Sequence, residues 1–152
     1  MKLYELRREQ KVNADINTAW DFFSSPQNLN RITPPGIDFK IITEVGKKMY
    51  QGQIIEYKIK ILPLFYSRWI SKISYIKENE VFIDEQISGP YKFWHHRHEF
   101  KVESDSIFLI DHVHYMVPYG ILGRILHLLY IKRKLAEIFN YRADAVEKLF
   151  GQ

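Results

Sequence analysis

Along residues 3–12 hydrophobic and polar positions roughly alternate, with Tyr4, Leu6, Arg8, Gln10 and Val12 on one side, the period-two texture of a half-buried strand. The texture then changes. Asp15 or Asn17 can cap a short helix that carries Trp20 and Phe23 and stops at Ser25-Pro26. A second short helix through Leu29 and Ile32 is closed by Thr33-Pro34-Pro35-Gly36, because a residue before proline is pushed out of the α region. Six further strand-like runs follow, at residues 39–45, 53–62, 69–76, 81–87, 92–102 and 107–117. Turn chemistry separates them: Gly46-Lys47-Lys48, Pro63, Lys77-Glu78-Asn79, Gly89-Pro90 and the polar stretch from Glu103 to Ser106. Connections this short predict antiparallel neighbours, since parallel pairing needs a long crossover.

Residues 119–150 contain no proline. Leu122, Leu126, Leu129, Arg133, Ala136, Asn140 and Ala143 trace one helical stripe, and Ile125, Leu128, Lys132, Leu135, Phe139, Val146 and Leu149 trace its flank. The expectation is an α+β chain: a seven-stranded curved antiparallel sheet around a long C-terminal helix, with two short helices after the first strand. No repeat, linker or low-complexity segment divides residues 1–152, which read as a single domain.

Composition narrows the chemistry. Apolar residues make up 46% and aromatics 15% of the 152 residues, enough for a packed core. The absence of cysteine excludes a disulfide framework, a thiolate nucleophile and any Cys-containing zinc site. The formal charge of +4 is spread through nearly every segment, so nucleic acid is not an expected partner. The first dozen residues carry charges every second or third position with no apolar core of a signal peptide, which makes the cytoplasm the expected location. The run from Val117 to Ile131 is broken by Arg124 and His127 and is too short to span a bilayer.

The stretch Phe93 to Phe100, "FWHHRHEF", places His95, His96 and His98 together, and His112 and His114 follow in "DHVHY". In a strand, Trp94, His96, His98, Phe100 and Val102 share one face, while His95, Arg97, Glu99 and Lys101 share the other. The aromatics mark the first face as interior. In the next run, Leu109, Asp111, Val113, Tyr115 and Val117 lie opposite Phe108, Ile110, His112, His114 and Met116, and hydropathy alone does not choose between them. A two-residue turn at Ser104-Asp105 would set Phe100 against Leu109, His98 against Asp111, His96 against Val113 and Trp94 against Tyr115. A turn one residue longer would bring His98 toward His112 instead.

Earlier runs offer more mixed faces: Trp69, Ser71, Ile73 and Tyr75 on one, Phe82, Asp84, Gln86 and Ser88 on another. A close-packed core disfavours Asp84, Gln86, His96, His98 and Asp111 unless all are paired, whereas a pocket with apolar walls and a few polar groups accommodates them. A metal site built from His96, His98 and Asp111 is the competing reading. It requires three or four ligands converging at about 2.0–2.2 Å, and the expectation is no metal and no cofactor.

This element order, with "TPPG" early, "GPYKFWHHRH" late and "VPYGILG" before the terminal helix, resembles the START/Bet v 1-like (SRPBCC, helix-grip) superfamily, in particular its bacterial ligand-binding group. The motif positions are Gly89, Pro90, Tyr91, Trp94, His96, His98 and Phe100, followed by Asp111, Val113 and Tyr115 and preceded by Phe82, Asp84 and Gln86. The resemblance implies that these strands line a cavity under the long helix, and it brings no established catalytic set.

The expected function is therefore binding of a small hydrophobic or amphipathic ligand (lipid, polyketide or aromatic) by Trp69, Ser71, Phe82, Asp84, Gln86, Trp94, His96, His98, Phe100, Asp111, Val113 and Tyr115. An alternative is a cyclase or dehydratase acting on a polyketide-like substrate, with His98 and Asp111 as the acid/base pair. A third is contact with a membrane, a partner or a second copy of the chain. "ILPLFY" and "YGILGRILHLLYIKRK" set large apolar residues at a strand turn and a helix start, the latter followed by Lys132, Arg133 and Lys134.

Overall fold

The computed structural model describes residues 2–62, 65–104 and 106–151. Strand β1 (Tyr4–Val12) leads into α1 (Ile16–Phe23). Asp15 caps that helix by accepting from the Thr18 backbone N–H at 3.0 Å and from the Thr18 hydroxyl at 2.6 Å. The second predicted helix is a 3₁₀ turn, Pro26–Ile32, and a shorter one follows at Pro35–Ile37. Then come β2 (Lys40–Ile41), β3 (Ile54–Leu62), β4 (Phe65–Lys77), β5 (Val81–Ser88), β6 (Phe93–Glu103) and β7 (Ser106–Met116). All seven strands join one antiparallel sheet in the order β1-β7-β6-β5-β4-β3-β2. The expected strand over residues 39–45 thus shrinks to two residues. The expected breaks at Pro63 and Asp105 lie outside the described residues.

Two bulges re-aim side chains. Ile73 pairs with Asp84 but Tyr75 pairs with Ile83, so β4 carries one extra residue there. The parity of β4 flips beyond it: Ile73 is buried, Tyr75 is exposed and Ile76 packs inward. Tyr75 therefore does not share the face of Trp69, Ser71 and Ile73. On β5, the step from Gln86 to Ser88 against Ser71 and Ile70 leaves Ile87 unpaired and exposed.

The chain leaves β7 through Tyr119 and Gly120, both in the left-handed region (φ 67° and 53°). It enters α2 (Gly120–Leu126), continues through a π-helical turn (His127–Ile131) and ends in α3 (Lys132–Phe150). Gly123 packs directly on the Pro118 carbonyl, where an added Cβ would come within 1.8 Å. Leu135, Phe139 and Val146 of α3 are buried against the sheet, so the predicted flank, not the predicted stripe, faces inward. Gln10 pins the far edge by donating from Nε2 to the Ala143 carbonyl at 2.7 Å. Along α2 and the π turn both lines point outward: Leu122 and Leu129 of the stripe are 74% and 77% exposed, and Leu128 of the flank is 71% exposed.

Buried apolar side chains fall into three clusters rather than one. Trp20, Phe22, Phe23, Phe82, Phe100 and Val146 form the first, Trp94, Val113, Tyr115, Leu135 and Phe139 the second, and Ile55, Tyr57 and Ile73 the third. Between sheet and helix lies a cavity of about 660 Å³.

Candidate functional site: a polar cluster in the wall of the cavity

The pairing of Glu103 with Ser106 sets the register of β6 on β7. From there His98 faces Asp111, His96 faces Val113 and Trp94 faces Tyr115, as the sequence predicts. On the other side of β6, Asp84 faces His96 and Phe82 faces His98. Strand pleating turns all of these side chains toward the helix, so the two histidines sit between a carboxylate on β5 and a carboxylate on β7.

Each carboxylate bridges both rings. Asp111 Oδ1 lies 2.8 Å from His96 Nε2 and 2.9 Å from His98 Nδ1. Asp84 Oδ2 lies 3.0 Å from His98 Nε2 and 3.5 Å from His96 Nδ1. The rings stack, His96 on His98 at 3.7 Å and His98 on Phe82 at 4.1 Å. Arg142 of α3 completes the group, its guanidinium 3.8 Å from Asp111 Oδ1 and 4.9 Å from the Phe139 ring.

His98 Nε2 bonds Asp84 and its Nδ1 lies 2.9 Å from Asp111; burial opposes a charge on the ring, but the two carboxylates outweigh it and raise its pKa. Burial and the adjacent His98 charge push His96 down to about 4, so it is neutral, donates through Nε2 to Asp111 and leaves Nδ1 unprotonated. Burial alone would raise both aspartates. The His98 and His96 contacts instead hold Asp84 low and Asp111 well below the usual carboxylate range. Two anions, Asp84 and Asp111, thus balance two cations, His98 and Arg142, in a buried cluster.

Asp84, His96 and His98 also bring potential metal-ligand atoms within 4.8 Å of one another. Two imidazoles sharing an ion at about 2.1 Å and a right angle hold their ring centres about 4.5 Å apart. The 3.7 Å stack is closer than that, and both His98 nitrogens are already engaged by carboxylates. This geometry favours hydrogen-bonded pairing over a shared ion.

Of the residues singled out from the sequence, Trp69, Ser71, Phe82, Asp84, Trp94, His96 and His98 line the cavity. The other five are buried or half-buried around it. Phe100 packs on Trp20 in the first cluster, and Asp111 holds the histidines at their second edge. Val113 is covered by the helix cluster, and the Tyr115 hydroxyl bonds His127 Nε2 at 2.9 Å. Gln86 closes the β5–β6 loop, donating to the Tyr91 carbonyl at 2.7 Å and accepting from the Tyr91 N–H at 3.2 Å. Gly89 is needed beside it, because a Cβ there would meet Gln86 Oε1 at 2.5 Å.

Sequence reasoning missed Arg142, which lines the cavity and whose Nε is buried without a hydrogen-bond partner. Its signal was a cation three residues after Phe139 and four before Val146, on the stripe that α3 buries.

Neither a family model nor a curated protein matches the sequence. Among solved structures, a START superfamily protein from Mycobacterium smegmatis superposes with a TM-score of 0.70 at 16% identity, covering 97% of both chains. Ginseng major latex-like protein 151 from Panax ginseng gives 0.69 at 12% identity, with 97% of both chains covered. Truncated norcoclaurine synthase from Thalictrum flavum gives 0.67 at 18% identity, covering 97% of this chain and 93% of that one. The fold is START/Bet v 1-like. Within this helix-grip architecture the polar cluster sits on β5, β6 and β7, with α3 supplying Arg142 from the opposite wall.

Proposed function

We propose that the protein binds a small amphipathic ligand in the cavity, with an apolar body against the aromatic wall and an acceptor group, such as a carboxylate, phosphate or carbonyl, at Arg142. The observation that carries this reading is the partnerless Arg142 Nε in the wall of a cavity of about 660 Å³. A buried donor without an acceptor costs on the order of 1–3 kcal/mol, and a ligand oxygen removes that cost. The volume falls within the usual range for small-molecule sites. Trp69, Phe82 and Trp94 supply the apolar contact, and Ser71, Asp84, His96 and His98 supply polarity. Gln86, Phe100, Asp111, Val113 and Tyr115 hold that wall in shape.

The test is native mass spectrometry of the purified protein, followed by displacement of a fluorescent fatty-acid probe read through Trp69 and Trp94. A stoichiometric adduct and saturable quenching are expected. A clean apo mass together with no quenching by any amphipathic probe would overturn the reading.

One observation favours acid/base chemistry as a second reading: His96 lines the cavity and is held through Nε2 by the Asp111 carboxylate at 2.8 Å. A cyclase or dehydratase step would then use His96 as base, since both nitrogens of His98 are taken. Turnover lost in Asp111→Asn while binding survives would select it.

A further inference from the structure

We propose that the outward face of α2 and the π turn, together with the neighbouring ends of β3 and β4, is a docking surface for an anionic lipid bilayer. Ile121, Leu122, Ile125, Leu128 and Leu129 recur at helical spacing, and all five are exposed. At the start of β4, Phe65 and Tyr66 are exposed too. The Tyr130 hydroxyl ties the two sides together by donating to the Ile61 carbonyl at 3.2 Å. Single exposed apolar residues are ordinary, but a contiguous face of this kind marks a contact surface.

The charge around this face selects the occupant. Residues 120–134 contain Arg124, Lys132, Arg133 and Lys134 and no acidic residue. Glu137 takes Arg133 and Lys134 at 3.1 and 3.4 Å, while Arg124 and Lys132 form no ion pair among the described residues. Lys58 and Lys60 add to the positive side on β3. An apolar helix face flanked by cations is the arrangement that lies in the interface of a negatively charged membrane. A second copy of the chain would bring these cations against their own kind, which is unfavourable across a self-contact. No helix among the described residues is long and apolar enough to cross a bilayer, so the contact is peripheral. Leu126, Tyr130 and Lys134 belong to both this surface and the cavity lining, so the docked face adjoins the cavity.

The experiment is co-sedimentation of the full chain with phosphatidylcholine vesicles containing about a third phosphatidylglycerol, against pure phosphatidylcholine. Binding to the anionic vesicles is expected, weaker by about tenfold or more on neutral vesicles and in high salt. Leu122→Glu/Leu129→Glu should lower it by a similar factor with an unchanged melting temperature, because neither side chain is part of the core. If that variant misfolds, Arg124→Glu/Lys132→Glu supplies the same reading. The proposal is overturned if the anionic vesicles bind nothing at low salt, or if binding is indifferent to both variants. It is equally overturned if light scattering finds a dimer that Leu122→Glu/Leu129→Glu disperses while vesicles bind nothing. None of the four substituted residues lines the cavity, so failure of this measurement leaves the ligand-binding reading standing.

Discussion

On the helix-covered face of β6, His96 and His98 meet Asp84 and Asp111 in a buried network; on its outer face, His95 meets Glu85 at 2.9 Å and, one strand over, His112 meets Glu5 at 2.7 Å. On both faces histidine meets a carboxylate at 2.7–3.0 Å. The surroundings differ: His96 and Asp111 are almost wholly buried, while the side chains of the outer pairs are 30–58% open to water. Water screens the outer charges and competes for their hydrogen bonds, so those pairs contribute little. The inner charges have only one another, and removing one leaves the rest uncompensated. Burial, rather than the presence of histidine and carboxylate, makes one face a candidate site and the other a solvated surface.

The largest expected effect separates the two faces by stability. Asp111→Asn keeps the shape but leaves Arg142 without its anion and His98 with Asp84 alone, and the expected loss is about 3–5 kcal/mol. It should appear as a lower urea midpoint with an unchanged slope. A variant as stable as the parent would show that the inner network is no more coupled than the outer pairs.

Acid separates them next. His96 has its folded pKa pushed down to about 4, below its unfolded value, so the unfolded chain takes up a proton that the folded chain refuses. Its contribution is complete above about pH 6.5 and is lost as pH falls toward 4, with a slope of at most about 1.4 kcal/mol per unit. His98 has the opposite sign: its raised pKa gives a contribution that is full below its unfolded value and is lost only as pH rises through the folded one. Asp84 and Asp111, both lowered, keep their contributions until pH falls below the ordinary carboxylate value. Between about pH 6.5 and 4 the slope from this cluster therefore belongs to His96. His96→Gln should flatten denaturation midpoints measured across that window.

A smaller effect concerns ligand affinity. Arg142→Gln removes the partnerless donor and one of the two balancing cations. Affinity for a carboxylate-bearing probe should fall by about 1–3 kcal/mol, read by fluorescence titration. Arg97→Gln, on the outer face of the same sheet, should leave that affinity unchanged.

Much of this contrast was legible before any coordinates. The alternation in "FWHHRHEF" separated His96 and His98 from His95, and the short turn before Ser106 fixed which face of β7 meets them. The register of β5 was less accessible, because the Gly89-Pro90-Tyr91 loop is closed by Gln86, a residue whose strand position suggested the cavity wall. Tyr75 was misplaced because a bulge reverses parity without leaving a sequence mark as plain as a turn. The helix was legible as a helix, but not in its facing. The apolar run over α2 reads as core by hydropathy, yet the sheet beneath is already covered by Tyr130, Ile131 and Leu135, so its outer leucines are left in water. Arg142 escaped notice because a lone cation on an amphipathic helix is ordinarily assigned to solvent.

The smallest expected effect is the control on which the comparison depends. Glu85→Gln removes the acceptor of His95 on the outer face, where both side chains keep contact with water. Water can replace the lost acceptor, and the charge left on its own is already screened, so the change should cost about 0–1 kcal/mol. Probe affinity should stay at the parental value, because neither residue reaches the cavity. The same urea titration used for Asp111→Asn measures it. If Glu85→Gln proved as costly as Asp111→Asn, the outer face would be coupled to the inner one through the backbone of β5 and β6, and the distinction drawn from burial would fail. A small loss at Glu85 beside a large one at Asp111, on the two strands that flank β6, would fix the site to the helix-covered face.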